Sequence, residues 1–97
     1  MPRRLKFHLS GHHCETVPEA GLAGKSNGEL LRLAEPDFDA FLTLDKGIEY
    51  QQNLAGTGLR IVIIRAKSNV LADLLPHIPG CLAALQSMAS GQIVRVG

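Results

Sequence analysis

Apolar and polar positions change their period several times along the chain, and each change marks a structural element. Arg3 to Leu9 sets Leu5, Phe7 and Leu9 among basic residues and closes on Ser10-Gly11, the pattern of a short helix reaching its C-terminus. Cys14-Glu15-Thr16-Val17 is a brief β-prone run stopped by Pro18, and a Gly-containing loop follows as far as Lys25. Ser26-Asn27-Gly28-Glu29 has the spacing of a capping box. With Leu30, Leu31, Leu33 and Ala34 behind it, it predicts a second helix that ends before Pro36. Asp39 to Asp45 and Ile61 to Arg65 are near-continuous apolar runs, one ending on a carboxylate and the other on a guanidinium. Such runs suit strands buried on both faces, as in parallel sheets covered by helices. Val70 to Met88 returns to a helical period that Pro76 and Pro79 divide into two pieces, and Ile93 to Val96 alternates as an edge strand does.

Helices that alternate with strands predict an α/β fold, here an open, mostly parallel sheet in a three-layer α/β/α arrangement with doubly wound topology. Segments 40–44 and 61–65 are then adjacent parallel strands. Their connection, Asp45 to Arg60, is just long enough for the dozen or so residues that a parallel crossover needs. A chain of 97 residues makes one domain, residues 1–97, with little stability to spare.

Composition narrows the function classes. Apolar residues at 45% and charged residues at 20% exclude a disordered or fibrous chain. No apolar stretch approaches the roughly 20 residues of a membrane span. The N-terminus lacks the pattern of an export signal, and Cys14 and Cys81 therefore read as reduced thiols of a cytoplasmic protein. A formal net charge of +1 supplies no global field toward nucleic acid, so any contact with RNA has to come from a local patch.

In an open parallel sheet, ligands bind beyond the carboxyl ends of the strands, at the point where strand order reverses. Asp45 and Arg65 fall at such ends. Asp45 is the first candidate ligand for Mg²⁺, which takes one or two protein carboxylates with water and substrate phosphate; it equally suits the opening of the turn Asp45-Lys46-Gly47. Glu29, at a helix start, is a candidate second ligand, and the Ser26 spacing also explains it as a capping partner. The amide-rich run Tyr50-Gln51-Gln52-Asn53 offers hydrogen bonds to phosphates or bases, while Lys46, Arg65 and Lys67 add positive charge to the same edge. Gly24-Lys25-Ser26 fails as a phosphate loop because Glu19 stands where the loop needs its first glycine. His8, His12, His13 and Cys14 have no second cluster with which to close a zinc site.

The runs Asn27-Gly28-Glu29-Leu30-Leu31, Phe38 to Lys46 with its Thr43-Leu44-Asp45, and Tyr50 to Leu54 resemble compact PIN-like domains related to toxins of toxin-antitoxin pairs. The resemblance extends through Arg65 to Asn69 and Leu74-Leu75-Pro76, nearly the whole chain. It implies a Mg²⁺- or Mn²⁺-dependent endoribonuclease with Asp45 and Glu29 as catalytic and metal-binding acids. By the same resemblance Thr43, Lys46, Gln52, Asn53 and Arg65 border the RNA, and an antitoxin protein is a partner. Similar proteins begin with an apolar strand ending in an acidic residue, before the segment that here reads Pro2-Arg3-Arg4-Leu5. Two expectations follow: a nuclease weakened by the absence of that acid, or a binding module that self-associates or holds a protein partner.

Overall fold

The structure is a computed structural model that describes residues 1–50 and 56–97. Its sheet has three strands, β1 (Ala40–Thr43), β2 (Arg60–Ile64) and β3 (Ile93–Val96), in the order β1-β2-β3. Both pairings are parallel, with Ala40 opposite Arg60 and Ile61 opposite Ile93. The two apolar runs are thus the adjacent parallel strands that their composition predicts. Strand order follows chain order without reversal, so among the described residues the sheet has no switch point of the kind a doubly wound topology supplies.

Strand β2 is central, and its alternation builds the core. Ile61 and Ile63 point to one side, where they meet Leu30, Leu31 and Ala34 of α1 (Asn27–Ala34), with Ile48 and Leu59. Val62 and Ile64 point to the other, where they meet Leu74 of α2 (Leu71–Leu74), Ile78 and Cys81 of α3 (Ile78–Ser87), and Leu5 and Leu9 from the N-terminal segment. A strand covered on both faces has no use for polar alternation, which explains the uninterrupted Ile-Val-Ile-Ile.

Local chemistry sets the helices. Ser26 caps α1, its hydroxyl accepting from the Glu29 backbone N–H at 3.4 Å, a cap of the kind that contributes about 0.5–2 kcal/mol. Pro76 lies in a 3-10 turn, Leu75–His77, and Pro79 at the start of α3, where a missing N–H leaves no intrahelical bond unmade. The predicted division at the two prolines is therefore what the chain does. Gly80 lets α3 lie against β3, because a Cβ at that position would stand 2.7 Å from Val96 Cγ1.

Two expectations change. The N-terminal helix is a 3-10 helix, Arg3–His8, that buries Leu5 and leaves Phe7 74% exposed. Residues 14–17 form no strand. Thr16 and Glu19 make a reciprocal cap instead: the Glu19 carboxylate accepts from Thr16 N–H at 2.8 Å, and the Thr16 hydroxyl accepts from Glu19 N–H at 3.2 Å. The turn closes with Leu22 N–H on the Val17 carbonyl and Gly21 N–H on the Pro18 carbonyl, Gly21 taking a φ of +77°. That pair of bonds is a Schellman closure, which requires a residue free to adopt positive φ. Cap and closure together outweigh the β propensity of Thr16 and Val17.

Candidate functional site at the end of the first strand

Asp45 lies two residues past β1, and three bonds define its surroundings. Its Oδ1 accepts from Gly47 N–H at 2.9 Å, and its own N–H donates to Thr43 Oγ1 at 3.1 Å. Its Oδ2 accepts from the Asn27 side-chain amide at 3.0 Å. The Gly47 bond is the side-chain-to-backbone turn that Asp favours. The Asn27 bond is tertiary, and it brings the first turn of α1 to the carboxyl end of β1.

Glu29 lies on that same first turn but takes another direction. Residues two apart on a helix do not share a face, so Asn27 facing Asp45 turns Glu29 elsewhere. Its carboxylate sits 3.7 Å from Lys25 Nζ, a partly exposed pair. Asn27 is the contact that the sequence reading missed, because an amide just inside a helix start looks like ordinary capping chemistry. Thr43 is half-buried, while Lys46 opens an exposed turn after Asp45 and Arg65 is exposed just past the end of β2. Gln52 and Asn53 lie outside the described residues. Among the described residues, no three His, Cys, Asp or Glu side chains form a group able to hold a metal ion by themselves.

Beside Asp45 runs the outer edge of β1. The Asp39 carbonyl accepts from Arg60 N–H at 2.9 Å, so by the two-residue alternation of a strand Phe41 and Thr43 also face β2. Ala40 and Leu42 then direct their backbone groups outward, where among the described residues the sheet has no further strand and nothing bonds to them. A groove of about 1010 Å³ follows this edge. Its lining includes both Phe41 and Leu42, whose side chains belong to opposite faces of the sheet, so the groove runs along the rim of the strand.

The opposite wall is the N-terminal segment, held in shape by Glu19. Lys6 Nζ reaches its Oε2 at 2.9 Å and Arg3 Nε at 3.3 Å, in addition to the Thr16 bond. The Thr16 backbone N–H first, and the Lys6 ammonium second, hold the Glu19 carboxyl well below the ordinary range, at about 2. Cys81, on the buried face of α3, has its thiol pushed up to about 11 by burial. The half-buried Cys14 thiol is raised for the same reason, offset in part by the Lys6 charge.

No protein-family model, curated protein or solved structure matches the chain.

Proposed function

We propose that the chain is a PIN-like domain whose site at the carboxyl end of β1 serves Mg²⁺- or Mn²⁺-dependent cleavage of RNA. One observation carries the reading: the Asn27 to Asp45 hydrogen bond, which joins the acid-bearing start of α1 to the Thr43-Leu44-Asp45 strand end. These are the two pieces of sequence on which the resemblance rests most heavily.

The donor set is compatible with a hard, water-rich cation. Each Asp45 oxygen accepts one bond, and a carboxylate offers about four lone-pair positions, so the exposed side chain keeps acceptor capacity toward solvent. Mg²⁺ asks for little more, since it commonly keeps several waters and takes one or two carboxylates. A divalent ion held there would polarise the phosphodiester and activate water. Asn27 and Gly47 fix the direction in which Asp45 presents its oxygens. Thr43 anchors the strand-to-turn step, and Lys46 and Arg65 bring positive charge for the RNA backbone. Glu29, turned toward Lys25, stays outside this site, which rests on Asp45 as its one protein carboxylate. A cytoplasmic setting and an antitoxin partner complete this reading.

The test is cleavage of single-stranded RNA at millimolar Mn²⁺ or Mg²⁺ by wild type and by Asp45→Asn, with circular dichroism to show that both are folded. Metal-dependent cleavage by wild type that Asn abolishes supports the site. Equal cleavage by both, or none by wild type, removes it. The free edge of β1 favours a second reading, a module that binds a protein segment, and that edge leads further.

A further inference from the structure

The groove beside β1 combines three properties that select its occupant. Its floor is a strand edge whose outward backbone groups, at Ala40 and Leu42, have no partner among the described residues. Its apolar lining comes from both layers of the core, with Leu5, Leu9, Val17, Leu22, Phe41 and Leu42 contributing. Its charge is opposite in sign to that of the chain as a whole.

Glu15, Asp37, Asp39 and Asp45 line the groove, all are exposed, and none forms an ion pair among the described residues. The two lining cations, Arg3 and Lys6, are both engaged by Glu19. Counting side chains alone, with His12 and His13 neutral, two cations against five carboxylates leave the lining at −3, in a chain whose formal side-chain charge is +1. Asp39 stands at one end of β1 and Asp45 at the other, six residues and about 20 Å apart along an extended chain.

We propose that β1 takes up an extended segment of a partner protein as a fourth strand, apolar in its middle and carrying Lys or Arg at both ends about six residues apart. Main-chain bonds to Ala40 and Leu42 supply affinity, and the two apolar layers receive side chains of alternate parity. The terminal cations meet Asp39 and Asp45. Along the groove itself, the carboxylates of Glu15, Asp37 and Asp39 repel the phosphates of a nucleic acid. Asp39 and Asp45 also disfavour a second copy laid edge to edge, since an antiparallel β1 pair sets Asp39 of one chain against Asp45 of the other, and like charges directly opposed are destabilising. This inference shares Asp45 with the metal-site reading, and its test reads the Ala40 and Leu42 amides, which that reading does not use.

The experiment uses the full chain and two synthetic peptides with the same Val/Thr centre, one flanked by lysines and the other by glutamates. Hydrogen exchange followed by NMR reads the Ala40 and Leu42 amides, and fluorescence anisotropy reads affinity. The lysine peptide is expected to protect both amides and to bind about tenfold more tightly than the glutamate peptide at moderate ionic strength, a gap that narrows as salt rises. Asp39→Lys, at an exposed position whose side chain bonds to none of the described residues, should weaken that preference. Protection by both peptides with equal affinity overturns the charge assignment. Failure of the lysine peptide to protect these amides overturns strand uptake. Protection that instead rises with protein concentration in the absence of peptide identifies a second copy as the occupant and overturns the proposal.

Discussion

Placing Ile63 and Ile64 on opposite sides of the sheet makes a thermodynamic prediction that separates the two cores. Ile63 is 1% exposed and packs with Leu31 of α1, itself 1% exposed, whereas Leu74, at 0%, lies across the sheet in the other cluster. Ile63→Val removes one buried methylene and should cost about 0.5–1.5 kcal/mol, while Leu31→Ala or Leu74→Ala should cost about 2–5 kcal/mol each. Each pair then costs about 2.5–6.5 kcal/mol against the roughly 5–15 kcal/mol of a folded domain, so the doubles are measured where the parent stability exceeds that sum. Urea unfolding of the singles and doubles then gives two coupling energies. Ile63→Val with Leu31→Ala shares one cavity and should depart from additivity by about 0.5 kcal/mol or more; Ile63→Val with Leu74→Ala should add to within about 0.3–0.5 kcal/mol. The reverse ordering, with strong coupling to Leu74 and none to Leu31, would refute the two-sided core.

The remaining predictions concern titratable side chains. Glu19 titrates at about 2 in the folded chain against an ordinary 4.5, so its network contributes stability above pH 4.5 that is lost as pH falls toward 2. Glu19→Gln should flatten that part of the acid-unfolding profile, and an unchanged profile would show that the clasp on Arg3 and Lys6 does not form. Cys81 is fully enclosed with its thiol raised to about 11, so a thiol reagent near neutral pH should modify Cys14 slowly in the native protein and Cys81 only on unfolding. Equal labelling of both thiols in native buffer would contradict the packing of α3.

What could be read from the sequence followed from how local its cause was. Ser26 capping α1, the prolines dividing the last helical stretch, and the β-branched run of β2 each act within a few residues, and each leaves a mark in the pattern. Thr16-Val17-Pro18-Glu19 followed by Gly21 also carried a local signal, a capping box with a positive-φ closure. The β propensity of Cys14 to Val17 masked it. Strand order was not legible in this way. Whether a sheet reverses direction depends on which connection crosses which face, and neither Asp45 nor Arg65 reports that. The site was half legible: Asp45 ends its strand as an apolar run stopping on a carboxylate suggests, but its partner on α1 is Asn27. Helix geometry decides this, since a side chain two residues along the first turn points elsewhere.

The cation site at Asp45 is the central functional claim, and Mn²⁺ titration followed by NMR tests it most directly. A paramagnetic ion at Asp45 should broaden the Gly47 backbone amide and the Asn27 side-chain amide, both bonded to that carboxylate, at metal concentrations that leave the signals of α3 sharp. Asp45→Asn should abolish the selective broadening. Uniform broadening across the protein, or selective broadening that persists in the Asn variant, would show that the end of β1 holds no divalent ion.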